Sequence, residues 1–389
     1  MKKSCRRIFH VFILLLFINS TARAQTELKS YEPGIRALFY HPVSPRAEAM
    51  GQSGVANGGS IQEIYINPAG LGLLKENVQT GFTFIRPIYN EKKSYISFAG
   101  AGMRVSEKLA VGISWLNFFS KLPDFVPSTA TEGDAINVRE TFITATGAYK
   151  INEEFHAGVN VSFFDHLYGN KRHFRSPLIG LGLLYEKPVQ LIKNTAVTNQ
   201  LFRAGISLDN AAFIKVKWQF DSTANIFPLT SYFRLGGAYQ FNLPAKWLIF
   251  SKPLSGQNSH LLDVLIQLQY LNFLNKGGET SYGKWGFNVG GEVVLAKLLA
   301  LRIGYLYEKR EGDTKRFNQS LILSLPYRKG LTFGLGLTLP VQSLSNKKIP
   351  FDLVIDFMHR KAYKHIKENP VLKELPFTNI GLRINWLLK

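Results

Sequence analysis

From Lys284 to Leu388 the chain repeatedly places a side chain suited to hydrocarbon at every second position, and no other property narrows its fold as far. Within 283–295, Trp285, Phe287, Val289, Val293 and Leu295 share one face, while Lys284, Asn288 and Glu292 share the other. The final segment repeats this: Ile380, Leu382, Ile384, Trp386 and Leu388 alternate with Asn379, Gly381, Arg383 and Asn385. Period two sustained over about ten residues, apolar on one side and polar or glycine on the other, is what a transmembrane β-strand needs. Strands of a soluble sandwich alternate too, but they typically run about half that length.

Fourteen segments bounded by turn signals carry strand character: 78–88, 93–104, 109–119, 138–150, 155–165, 177–186, 200–208, 230–241, 261–271, 283–295, 298–308, 331–340, 350–358 and 377–388. Gln319 to Pro326 is a further short candidate. The expected fold class is therefore all-β: a transmembrane antiparallel β-barrel of about 14 strands spanning residues 78–389. An even count leaves both ends on one side of the membrane. Outward faces stay free of charge, as in Phe155, Ala157, Val159, Val161 and Phe163 of the fifth segment. A Lys or Arg at the bilayer midplane there would cost roughly 2–4 kcal/mol. Inward partners such as Gly112, Ser114, Asn160, Ser162, Gln267 and Gln269 are small or polar. Tight turns are expected at 106–108, 152–154 and 296–297, and long connectors at 120–137, 209–229, 309–330 and 359–376. The connectors 187–199 and 242–260 are long where short periplasmic turns are expected.

Residues 1–24 have a basic start, an apolar stretch from Val11 to Ile18 and Ala22-Arg23-Ala24 before Gln25, the layout of a secretory signal peptide. Cleavage near Ala24 would remove Cys5, the single cysteine, leaving no disulfide and no thiolate. Later apolar runs are broken by charges or turn residues, so a membrane-spanning form has to be a closed barrel, because lipid tolerates no unpaired backbone. The expected localisation is the outer membrane, with its lipid as the first partner. The formal charge of +20 is spread through connectors rather than gathered with stacking aromatics, so nucleic acid is not an expected partner.

Ahead of the barrel, residues 25–77 are rich in glycine and alanine and lack sustained alternation. The Asn67-Pro68-Ala69-Gly70 run reads as a turn, with φ fixed at Pro68 and relaxed at Gly70. Small residues permit close packing, and a barrel this wide leaves a lumen. The expectation is an N-terminal plug inside the barrel; the alternative is a disordered periplasmic arm.

The stretch Arg46-Ala47-x-Ala49-Met50-Gly51-x-x-Gly54-Val55-Ala56, followed by Tyr65-x-Asn67-Pro68-Ala69-Gly70-Leu71, resembles the start of the FadL-type outer-membrane family, in particular its PorV/PorQ-like Bacteroidota branch. Leu301 to Glu308, Leu331 to Leu337 and Phe351-Asp352-Leu353 agree with it, while Glu48 within the small-residue run departs from it. The resemblance implies a fourteen-stranded barrel with an N-terminal hatch whose motif residues here are Arg46, Gly51, Gly54, Asn67, Pro68 and Gly70. PorV-like relatives imply a type IX secretion component or paralogue, its basic loops 309–330 and 359–376 docking secreted cargo proteins or secretion subunits. FadL-like relatives imply instead passive transport of hydrophobic molecules such as fatty acids, with a hydrophobic ligand in the lumen. Transport would need a side exit, for which Pro87 in the first strand is the candidate interruption, since proline removes a ladder donor.

No pattern of side chains suggests an enzyme, a metal or any other cofactor. Asp165 and His166 sit at the expected outer rim, but neighbours on a strand point to opposite faces. His359 and His365 flank cations, which oppose metal binding. Gly180-Leu181-Gly182 and Gly334-Leu335-Gly336 open no helix and read as inward positions kept small to clear a plug. Glu292 and Arg302 should face the lumen across a tight turn, and Asp352 and Asp356 should face Arg383. Buried charges need partners, so these five are expected to bridge wall to wall or wall to plug.

Overall fold

The computed structural model describes residues 43–86, 95–122, 136–168, 171–193, 197–213, 215–220, 223–229, 231–243, 262–274, 283–310, 327–346, 348–360 and 377–387. The expected leader, Cys5, residues 25–42, Pro87, His365, the segment 319–326 and most of the loops 309–330 and 359–376 lie outside them.

Sixteen strands are described: β1 (Val78–Arg86), β2 (Tyr95–Arg104), β3 (Leu109–Leu122), β4 (Ile136–Lys150), β5 (Phe155–Tyr168), β6 (Lys171–Pro188), β7 (Thr198–Asp209), β8 (Lys215–Phe220), β9 (Thr223–Pro228), β10 (Tyr232–Leu243), β11 (Leu262–Phe273), β12 (Gly283–Leu295), β13 (Leu299–Arg310), β14 (Tyr327–Leu339), β15 (Phe351–Arg360) and β16 (Phe377–Trp386). Fourteen close into an antiparallel barrel, and β8 and β9 form a separate hairpin between β7 and β10. Closure is made by β1 on β16, with Val78 opposite Trp386 and Arg86 opposite Thr378. Every barrel strand thus has two neighbours, which removes the free edges that would be untenable in lipid.

The outer surface follows the alternation. Ile113, Val161, Ile266, Leu268, Ile303 and Leu331 are each more than half exposed. Carrying such side chains outward is costly in water and favourable in hydrocarbon. Among the described residues no helix is long and apolar enough to cross a membrane.

The tight turns close by local chemistry. Ser106 Oγ accepts from the N–H groups of Lys108 and Leu109, and Asn152 Oδ1 accepts from those of Glu154 and Phe155. At the β12–β13 turn, Ala296 and Lys297 both have positive φ, 50° and 60°, and Leu298 N–H donates to Leu295 O at 2.8 Å. Two left-handed central residues match the right-handed twist of a hairpin.

Two features depart from expectation. The connection between β5 and β6 is two residues long rather than an extended loop, because both strands run on past their expected ends. At about 3.4 Å per residue, an 18-residue β6 is far longer than the ~30 Å hydrocarbon layer requires, even when tilted. The long stretch 209–229 is largely hairpin rather than loop. Outside the membrane no lipid enforces alternation, so neither feature leaves a period-two signature.

Candidate functional site

The site is the contact between the segment 43–77 and the inward face of the barrel. The segment holds one helical turn, α1 (Pro45–Ala49), and two 3-10 turns, Ile61–Glu63 and Pro68–Leu73. Each begins with a side-chain cap. Ser44 Oγ accepts from Ala47 N–H, Ser60 Oγ from Gln62 N–H, and Asn67 Oδ1 from Ala69 N–H. Capping satisfies backbone donors that a short turn leaves orphaned.

The hatch-motif residues each acquire a distinct task. Gly51 has φ of +72°, and its N–H donates to Thr332 Oγ1 at 3.0 Å while Thr332 donates to Ala49 O. A Cβ on Gly51 would collide with the backbone of Tyr305. Gly54 and Val55 both donate to Gln269 Oε1, at 3.2 and 3.1 Å. Asn67, besides capping, donates through Nδ2 to Val55 O and to Leu183 O on β6, joining two parts of the segment to the wall. Pro68 starts the second 3-10 turn and rests against Gly158 and Gly182. Gly70 lies within that 3-10 turn and serves close approach, because a Cβ would meet Gly58 and Asn57 O within 3.0 Å.

The wall is cut to fit. Cβ atoms added at Gly158, Gly205, Gly236, Gly290, Gly304, Gly334 or Gly381 would all fall within 3.0 Å of segment atoms. Those glycines lie on seven strands, so the segment is contacted around most of the circumference. Between them, Gln79 on β1 accepts from Ile61 N–H at 2.8 Å, Gln62 donates to Thr83 at 2.8 Å, and Asn160 on β5 donates to Ile64 O at 2.9 Å. Tyr65 hydroxyl bonds Ser114 and Thr144, and burial pushes its phenol up to about 12.

The charges converge on one point. Arg46 donates to Glu292 from Nε and Nη2, at 3.0 and 2.7 Å. Arg302 donates to the same carboxylate at 2.6 Å and, through Nη1, to Asp356 at 2.6 Å. Arg383 Nη2 completes the row on Asp356 at 3.3 Å. The cluster therefore joins α1 to β12, β13, β15 and β16. Asp352 is corrected: it shares a face with Asp356 but lies nearer the strand end, where it accepts from Gln342 N–H instead of meeting Arg383. Glu63, which alternation does not single out, stands 3.6 Å from Arg46 Nη1. Burial pushes its carboxyl above the ordinary range, against the pull of Arg46. Its only sequence signal is an acid inside an otherwise small and apolar stretch.

Toward the end bearing the long connectors, the inward side chains of β1–β6 change character. Ile85, Phe98, Phe118, Phe142, Phe164 and Leu178 are buried there in one apolar cluster with Ile61, Ile64 and Leu71 of the segment. Phe142 stacks on Phe164 at 4.5 Å, and Tyr65 meets Phe98 and Phe142 edge-on. A water-filled lumen is polar throughout; this wall carries a continuous apolar and aromatic cluster, with Ser114, Glu140, Thr144 and Ser162 as buried polar neighbours. His166 faces it from β5, its Nδ1 3.6 Å from buried Glu140, whereas Asp165 pairs with Arg175 at 2.9 Å. His359 lies exposed beside Thr378. Among the described residues no group of three or more His, Cys, Asp or Glu is placed to hold a metal ion.

No protein-family profile matches the sequence, and no curated protein matches it either. The fold does match solved structures. A FadL homologue from Pseudomonas aeruginosa aligns over 89% of this chain and 98% of its own, with 11% identity and a TM-score of 0.50. The TodX deltaS2S3 mutant, a monoaromatic hydrocarbon channel, aligns over 88% of this chain and 98% of its own, with 11% identity and a TM-score of 0.54. The TodX deltaS2 mutant gives 10% identity over 87% and 96%, with a TM-score of 0.50. At such identities the likeness is one of fold: an all-β, closed, fourteen-stranded barrel shared with FadL-type proteins.

Proposed function

We propose that this chain is a non-enzymatic outer-membrane barrel through which hydrophobic molecules cross passively, with the segment 43–77 as its plug. The observation that carries the reading is the apolar, aromatic inner wall of β1–β6 above that segment. A barrel conducting ions or polar solutes gains nothing from Phe98, Phe118, Phe142 and Phe164 inside, whereas an apolar solute is bound there by exclusion of water. The fold shared with a FadL homologue and with a monoaromatic hydrocarbon channel supports the same class. A role in type IX secretion finds no such support in the FadL homologue or the TodX mutants, and the basic loops that would receive cargo lie mostly outside the described residues. The exit taken by the solute stays a proposal too, since Pro87 is also outside them.

Uptake separates the readings. Cells with an intact lipopolysaccharide layer, with and without this protein, are given a labelled fatty acid or a labelled monoaromatic hydrocarbon. Faster uptake with the protein, reduced by Phe142→Asn, is expected. Equal uptake of both probes, together with recovery of exported proteins bound to the solubilised barrel, would overturn transport in favour of cargo handling.

A further inference from the structure

The segment is held by two unlike halves of the wall. Against β1–β6 it presents Ile61, Ile64, Leu71 and Leu74, which are fully or almost fully buried in the apolar cluster. Against β12–β16 it presents the small side chains of Pro45 and Ala49 and the backbone around Met50, close-packed on Gly381, Gly334 and Gly304, and one charge, Arg46, locked to Glu292 beside Arg302, Asp356 and Arg383. Water treats these halves differently. Wetting the apolar half exposes hydrocarbon surface to water, which is unfavourable in proportion to its area. Wetting the charged half returns ions to a solvent that hydrates them well, so a buried ion cluster is close to break-even between dry protein and water. The charged half is therefore the one that can part.

We propose that the Arg46–Glu292–Arg302–Asp356–Arg383 cluster is a latch: residues 43–56 leave β12–β16 when it is broken, while 61–74 stay seated on β1–β6, and a water-filled passage opens along β12–β16. The inward glycines on that side, Gly290, Gly304 and Gly334, leave a smooth wall once α1 withdraws. The latch rests on reading the segment as a plug, but not on which solute crosses.

Ion conductance in planar bilayers tests it. Arg46→Gln and Glu292→Gln each leave an opposite charge without its bidentate partner, and each should raise single-protein conductance about tenfold or more over the native protein, in line with a population shift of that size. Removing the same charge from the Arg203–Glu186 pair, with Arg203→Gln, should leave conductance unchanged. Arg46→Lys, which keeps the charge but not the bidentate geometry, should fall between. Heat-modifiable gel migration reports that each barrel is closed. Folded Arg46→Gln and Glu292→Gln proteins that conduct no more than native would overturn the latch. Should either fail to fold, Arg46→Lys decides, and native-level conductance there overturns it equally. Absence of hydrophobic uptake by native protein would defeat the transport reading while leaving the conductance result intact.

Discussion

Adding one methyl group at an inward glycine should unseat the segment 43–77, and adding it at an outward glycine should not. At Gly304 an added Cβ meets Met50 and Gly51 backbone atoms well inside van der Waals contact; at Gly158 it meets Pro68 and Ala69 backbone. Backbone cannot swing aside as the end of a flexible side chain does, so relief requires the segment itself to move. Overpacking of this kind costs about 1–3 kcal/mol. If the segment shifts, the Gly51–Thr332 hydrogen bond goes with it, at about 0.5–1.5 kcal/mol more. Gly147 and Gly291 supply the controls: the nearest atom to their Cβ stands at 3.9 and 3.7 Å, and alanine there makes only ordinary van der Waals contact. Urea unfolding of detergent-solubilised protein, followed by the loss of heat-modifiable migration, measures the difference. Gly304→Ala and Gly158→Ala should unfold at clearly lower urea than Gly147→Ala and Gly291→Ala. Coincident midpoints for all four would refute the close fit of segment to wall.

Three further outcomes follow from the same structure. Burial holds the Glu63 carboxyl above its ordinary value despite Arg46 and Arg383, with Glu292 and Asp356 also disfavouring its charge; a raised folded pKa adds stability below the unfolded pKa that is lost as pH rises through the folded one. Thermal unfolding from pH 4 to 8 should therefore show a decline that Glu63→Gln removes, and an unchanged profile in that variant would contradict the assignment. At the β12–β13 turn, Ala296→Asn with Lys297→Gly suits the left-handed φ of both positions and should stabilise by about 1 kcal/mol, read as a higher urea midpoint; a lower midpoint would count against the turn geometry. On the outer belt, Ile303→Lys should cost roughly 2–4 kcal/mol in lipid and little in a soluble setting, so equal stability to native in liposomes would speak against membrane placement.

How much of this was legible in the sequence depended on what enforced the pattern. Lipid on one side and a tight interior on the other leave each spanning strand no freedom in its alternation, and all fourteen expected segments overlap a barrel strand. The same constraint lapses past the membrane, which is why β5 and β6 run longer than expected and the β8–β9 hairpin went unseen. Inward charges could be placed on a face by counting residues, but not paired by it. Nothing local says that Arg46, some 250 positions from Glu292, would be its partner, or that Asp352 would end beside Gln342 and not Arg383. Gly70 carries the same lesson: Asn-Pro-Ala-Gly marks a turn in the sequence, but that the backbone of Gly58 lies against this glycine is visible only in the fold.

The claim on which the rest depends is that residues 43–74 are seated inside a lipid-embedded cylinder. Hydrogen exchange on the protein in liposomes tests it at named amides. Gly51, Gly54, Val55 and Ile61 donate to Thr332, Gln269 and Gln79 of the wall, and they should exchange as slowly as the strand amides of β12 and β13. Exchange of these four at the rate of an open chain, while the strands remain protected, would show a free arm outside an unplugged barrel.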